Sequence, residues 1–512
     1  MLNNIKALVV ILALALAVFY IVRPICLRFM SAPAFALRRN VWLALTVVAF
    51  LSPSFWPYAL FALLLLFWAG MRDENPLALY LVVAFTIPNA SFQLPAILIN
   101  QLFDLSHFRI LAFAVLLPSI VRVLRQSGEP QGQRHARSAD MLLLAFLVLQ
   151  VVLFIPYESV THTMRRAFLY LLDTALLLYA FNRLSDQSKV TEAMAGFWLA
   201  AMLMAPVAVF EWARGWLLYT GLVDTWGDTN AFAWLLRGGS LRAQAATGHS
   251  ITLGYLLCLG LGFFLYLRSR VSNAALGWGV VLTLLAGIFV SGSRGAWVTA
   301  ALLLVMFVVL RPGASRKLLN AGTLGLAAFA LMYVTPLKES VLDRLPFIGT
   351  ADQDTIEYRQ RVAETSWTLI SQNPFFGDPF VYFRLESLRQ GQGIIDIVNG
   401  YILTALFSGL VGMLLQVSVF VFAAVIGLRD MWRVRQADPD AGLLRAALVA
   451  SLVASLAFVA TAGWSFMMYV MVGFLVSLSG ALNTALVRPG SLPSFAGSAY
   501  SPRTNVGDSW SR

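Results

Sequence analysis

The chain has 512 residues, of which 59% are hydrophobic and 12% charged, with a mean hydropathy of +0.76; an ordinary soluble domain carries about 25% charged residues. That composition excludes a soluble globular protein, and two cysteines, Cys26 and Cys258, are too few for a disulfide framework or a cysteine-built zinc site. The net charge of +12 gathers in short turns between apolar stretches, as the positive-inside rule places it in membrane proteins, so it does not argue for nucleic acid.

Each bilayer crossing takes about 20 mostly apolar residues. The first apolar run, 8–22, follows Lys6 and precedes Arg23 and Arg28 without a small-residue cleavage site, which reads as a retained helix and not a signal peptide. Further runs lie at 41–52, 56–70, 77–92, 108–124, 140–156, 165–182 and 190–210, then at 250–267, 274–290, 295–310 and 318–335, and last at 400–427, 442–461 and 465–484. The expected fold is all-α, a polytopic transmembrane helical bundle of roughly 12–15 spans. Its parts are N-terminal helices (1–210), a polar segment (211–249), helices enclosing a tight hairpin (250–335), a long polar segment (336–399), C-terminal helices (400–484) and a tail (485–512), expected to be disordered and rich in Ser, Pro and Gly.

If the runs alternate, the basic clusters at Arg23/Arg28/Arg38/Arg39, Arg122/Arg125/Arg134/Arg137, Arg183/Lys189, Arg268/Arg270, Arg311/Arg316/Lys317, Arg429/Arg433/Arg435 and Arg488/Arg503 share one side, the cytoplasm. The two long polar segments then share the opposite face, where loops longer than a turn requires usually carry function. Ile356 to Ile370 sets Tyr358, Val362, Trp367 and Leu369 among charged residues and stops at Asn373-Pro374, the pattern of an amphipathic helix near the outer membrane surface.

Arginine on that outer face runs against the charge bias and is costly near hydrocarbon unless compensated. The candidates are Arg214, Arg237, Arg242, Arg294, Lys338, Arg344, Arg359, Arg361, Arg384 and Arg389. Arg294 is held in Ser291-Gly292-Ser293-Arg294-Gly295 at the mouth of a tight helical hairpin, where its planar fork suits a lipid-borne phosphate or pyrophosphate; the bland alternative is a snorkelling or capping residue. Arg242 and His249 close the first outer segment just before the 250–267 helix. At a helix N-terminus His249 is disfavoured as imidazolium, so it either accepts a proton from a sugar hydroxyl or simply caps the helix. His107 and His162 fall in outer loops without supporting motifs, and His135 is cytoplasmic. Arg359 and Arg361, two apart, point to different sides of a helix, so one of them faces a site. Asp396, just before the 400–427 helix, is a second candidate base, with a solvated loop carboxylate as its plain reading. No metal-ligand spacing occurs in 336–399.

Four elements in order resemble the O-antigen ligase and polymerase superfamily of bacterial surface-polysaccharide assembly. They are Ser291-Gly292-Ser293-Arg294-Gly295, the arginine-bearing stretch from Arg359 to Trp367, Asn373-Pro374-Phe375-Phe376-Gly377, and Asn399-Gly400-Tyr401 followed by Ser408-Gly409-Leu410-Val411-Gly412. The resemblance covers about 240–430 and implies an inverting, metal-independent membrane glycosyltransferase without a cofactor, in the bacterial inner membrane. Its donor is then a glycan on undecaprenyl pyrophosphate at the periplasmic face, passed to lipid A core by ligases or to another lipid-linked repeat by polymerases, with other assembly proteins as possible partners. On matching positions the pyrophosphate falls to Arg242, Arg294 and one or both of Arg359 and Arg361. Ligases of this kind carry a histidine just before the Asn of the last element, where this chain has Val398. That departure shifts the expectation toward a polymerase of capsule, exopolysaccharide or O-antigen, with His249 first and Asp396 second as base. The rivals are an O-antigen ligase, a flippase or transporter of lipid-linked sugars, which tends to show paired broken helices and charges at the midplane, and a structural or sensory protein.

Overall fold

The computed structural model describes residues 2–96, 99–126, 138–183, 187–228, 232–237, 239–313, 316, 353–389, 395, 397–463 and 466–485. The 318–335 run, Lys338, Arg344, Asp396 and the tail from 486 lie outside the described residues. In chain order the helices are α1 (Leu2–Cys26), α2 (Ala32–Leu51), α3 (Phe55–Arg72), α4 (Pro76–Ala84), α5 (His107–Leu111), α6 (Leu117–Gln126), α7 (Ser138–Val152), α8 (Val160–Tyr170), α9 (Leu176–Arg183), α10 (Gln187–Arg214), α11 (Thr220–Trp226), α12 (Ser250–Leu267), α13 (Ala274–Val290), α14 (Arg294–Val309), α15 (Gln353–Gln372), α16 (Gly400–Val434), α17 (Pro439–Val459) and α18 (Phe466–Ala485). Two antiparallel hairpins join them, β1–β2 (Ser91–Ala96, Ile99–Ser106) and β3–β4 (Leu236–Arg237, Ser240–Leu241). Among the described residues, seven helices (α1–α3, α10, α12, α16 and α17) are long and apolar enough to cross a bilayer, and the protein is a polytopic helical membrane protein.

The centre is α10 and α12, buried along almost their whole length. Lipid tails are as apolar as leucine, so helices in a bilayer associate through close packing and polar contacts, which small residues permit. A side chain at Gly260 of α12 would collide with Ala201 of α10. Around that close approach the rings interleave: Phe197 lies 5.2 Å from both Phe263 and Phe474, tying α10, α12 and α18 together.

Three features depart from the expectations. The 77–92 run is not one span. Its helix, α4, is nine residues long, about 13.5 Å, and the chain leaves it through a turn at 85–86 toward β1. A helix end inside a bundle must have its carbonyls satisfied: Thr86 Oγ donates to the carbonyls of Val82 and Val83 at 2.9 and 3.1 Å, and His107 Nε2 donates to Val83 at 3.3 Å while its Nδ1 accepts the Tyr58 hydroxyl at 2.8 Å. His107 is therefore a buried structural residue, not an outer-loop one. Arg38 is likewise no turn residue. It sits inside α2, fully buried, with Nε and Nη2 on Asp73 at 2.8 and 2.6 Å and Nη2 also 2.7 Å from Glu192.

Candidate functional site

The site is built on the turn between α13 and α14. Ser293 caps α14, its hydroxyl accepting from Ala296 N at 3.4 Å; Ser291 Oγ donates to Ile288 O at 2.7 Å and accepts from Ser293 N at 3.3 Å. Gly292 takes φ 61, a left-handed value that lets the chain reverse in three residues. With its hydroxyls committed inward, the turn offers outward the carbonyls that end α13.

The β3–β4 hairpin supplies their partners. Gly239 precedes β4 at φ 72, a value suited to glycine. Ala243 N donates to Val290 O at 3.1 Å, Arg242 Nε to Ser291 O at 3.4 Å, and an Nη of Arg237 to Gly292 O. Thus 237–243 lies across the end of α13, and Arg237 and Arg242 flank a small open pocket walled by Trp212, Phe289 and Trp297. Phe289 and Trp297 stack at 5.1 Å, and the Trp297 ring N–H donates to Ile288 O at 3.0 Å.

Behind the hairpin, Glu211 near the end of α10 is fully buried. Its carboxylate accepts three backbone N–H groups: Leu218 at 3.0 Å, Gln244 at 3.0 Å and Ala245 at 2.8 Å. This one side chain ties the end of α10 to the strand carrying Arg242. No motif in the sequence marks it.

Arg294 is the first residue of α14, half-buried, and Arg359 is exposed on α15. Both come within electrostatic reach of Arg237, whose pKa is lowered first by burial and then by the charges of Arg294 and Arg359. Arg237 on β3 thus feels the charges of guanidinium groups on α14 and α15. Arg361 is exposed on α15, and no contact ties it to this group. Arg237 was one of ten outer-face cations in the sequence and nothing there singled it out; its pairing with Ser240 across the β3–β4 hairpin is what sets it beside the α13–α14 turn.

His249 is the N-cap of α12, with Nδ1 accepting the Ile251 N–H at 3.3 Å. Burial of the inner ring edge and then the charge of Arg242 lower its pKa to about 4. The ring is exposed on its outer side, and the cap bond together with the Arg242 charge favours the neutral ring. With Nδ1 occupied as an acceptor, the proton resides on Nε2. At the start of α16, Asn399 Oδ1 accepts from Tyr401 N and Ile402 N at 2.9 and 3.2 Å, and Val398 beside it is half-buried. Among the described residues no three His, Cys, Asp or Glu side chains gather in a metal-binding group.

Comparison with curated proteins finds no match. Residues 278–417, which run from α13 through the hairpin turn and α15 into α16, match the family model described as O-Antigen ligase, the family that the four sequence elements resemble.

Proposed function

We propose that the protein is a glycosyltransferase that takes its donor glycan from a polyprenyl diphosphate at the outer face of the bacterial inner membrane, extending lipid-linked repeats. The observation that carries this reading is the open pocket at the α13–α14 turn flanked by Arg237 and Arg242, with the charges of Arg294 and Arg359 acting on Arg237. Like charges packed together repel, and a cation at a helix N-terminus opposes the helix dipole; a diphosphate relieves both. In the reaction a sugar hydroxyl attacks the anomeric carbon, the bond to the diphosphate breaks, and the leaving group gains the negative charge these guanidinium groups stabilise. The pocket beside them, walled by Trp212, Phe289 and Trp297, gives the donor an apolar contact.

Acceptor deprotonation is assigned to His249 or Asp396. The cap bond at His249 Nδ1 favours Asp396 as the base, leaving His249 to offer its Nε2 proton as a hydrogen-bond donor. The test uses purified protein with a lipid-linked repeat unit. Longer lipid-linked chains are expected, and Arg237→Ala, Arg242→Ala and Arg294→Ala should abolish elongation while inserting and folding normally. Wild-type chain length in all three would end the proposal.

One observation favours a second reading. The short α4 and α16, interrupted at Gly409 by non-helical backbone, are broken helices of the kind transporters use. In the same assay, movement of the lipid between leaflets without elongation would identify a flippase, and transfer to lipid A core a ligase.

A further inference from the structure

The outer segment has a small core of its own. Val362 and Ile370 of α15, Val381 and Leu385 after it, and Ala405 and Leu406 of α16 pack together, whereas α16 beyond them enters the main core through Val419, Phe420 and Ala423. The boundary is Gly409. At φ 66 and ψ −171 it divides α16 into two helical pieces, a conformation open to glycine and costly for other residues.

The Pro374-Phe375-Phe376-Gly377-Asp378 loop enters this break backbone first. In an unbroken helix Leu410 N–H would donate to Leu406 O. Here Leu410 N–H donates to Pro374 O at 2.8 Å, Leu406 O accepts from Asp378 N at 2.8 Å, and Val411 N–H donates to Phe375 O at 3.2 Å. The intruding strand thus takes over the partners the break sets loose, as backbone groups in a membrane protein require. The approach leaves no room for side chains. A Cβ at Gly377 would lie 2.6 Å from Gly409 N and Leu406 O, and one at Gly409 would collide with the Phe375 carbonyl. The rings of Phe375 and Phe376 are exposed, so this loop meets the break through its main chain. At its inner side Gln150 of α7 donates to Ser408 Oγ at 3.0 Å.

We propose that Gly377 and Gly409 are positioning residues: their backbone joint fixes α15 to the bundle and thereby holds Arg359 toward Arg237 and Arg294. Only the last consequence, an effect on donor use, rests on the diphosphate reading. Spin labels at Gln360→Cys on α15 and Trp234→Cys near β3, both exposed, in a background without Cys26 and Cys258, report the joint directly. The parent protein should give one narrow distance distribution, and Gly377→Ala or Gly409→Ala a broadened one. Donor kcat/KM should fall about tenfold while acceptor KM holds, because Arg359 is displaced and the acceptor side is not. A distribution that stays narrow in both variants, or equal losses for donor and acceptor, overturns the assignment. Should neither variant fold, hydrogen exchange in the unaltered protein decides: Leu410, Val411 and Asp378 amides must be protected well beyond open-loop rates, and free exchange refutes the joint. A broadened distribution in a protein that binds no donor would leave the joint standing and remove the diphosphate reading instead.

Discussion

Replacing Glu211 tests how the cationic hairpin is held. Its carboxylate accepts from Leu218, Gln244 and Ala245, all within 3.0 Å, from a fully buried position. Glu211→Ala strands three buried N–H donors, each costing about 1–3 kcal/mol. Water entering the vacated space pairs with some of them, which brings the expected loss to about 3–5 kcal/mol. The helices keep their own hydrogen bonds and packing, so the loss falls on local opening of the 216–245 segment and not on the bundle as a whole. At about 1.4 kcal/mol per factor of ten, amide protection at Leu218, Gln244 and Ala245 should drop by at least about a hundredfold in hydrogen exchange. Glu211→Gln is the sharper variant. A glutamine keeps one acceptor oxygen and turns an NH2 toward the remaining donors, so it should resemble Ala and not the parent. Parent-level protection in Glu211→Gln would refute the reasoning, because it would mean the three bonds do not need a carboxylate.

Two further outcomes follow from the electrostatics. Asp73→Ala leaves Arg38 buried with Glu192 as its remaining charged partner; breaking a buried pair costs about 3–5 kcal/mol, and with Glu192 in place the lower end applies, visible as a lowered thermal unfolding midpoint that Asp73→Glu partly restores. His249→Ala removes the acceptor for Ile251 N–H, at a cost of about 0.5–2 kcal/mol. Because the folded-state pKa of His249, about 4, lies below the ordinary value of about 6.5, its contribution is complete above pH 6.5 and is lost as pH falls toward 4. The alanine variant should flatten the pH dependence of unfolding across that window, and an unchanged slope would show that His249 does not titrate there.

What could be read from the sequence was local. The helix start at Ser250, the run from 295 and the stop before Asn373-Pro374 are written in neighbouring residues, because caps and breakers act within a turn, and the structure has α12 beginning at Ser250, α14 one residue earlier than that run at Arg294, and α15 ending at Gln372. What depended on distant partners could not be read. The 77–92 run is apolar throughout and looks like a span; its helix stops at Ala84 where Thr86 and His107 satisfy the last carbonyls, and residue 107 is far along the chain. Arg38 looks like an orientation charge until Asp73 and Glu192 are brought to it. The β1–β2 hairpin, with Phe92 paired to Leu105 and Leu94 to Phe103, is an apolar stretch whose length fits strand or helix equally. At the site, Arg237 and Glu211 owe their importance to the α13–α14 turn, more than fifty residues on.

The same contacts allow a plain structural account of the arginines to be weighed. Arg237 and Arg242 donate to carbonyls at the end of α13, where cations suit the helix dipole, so a capping role accounts for both. It fails for the other two. Arg294 opens α14, where the dipole disfavours positive charge and where Ser293 already supplies the cap. Arg359 reaches the group from α15, on a segment with a separate core, and its charge acts on Arg237 only to lower that group's pKa. Neither position is explained by the dipole of the helix that carries it. On the proposed reading a ligand bearing several negative charges turns that mutual repulsion into binding, and the loop that joins the broken α16 through main-chain bonds would keep the charges together before such a ligand arrives.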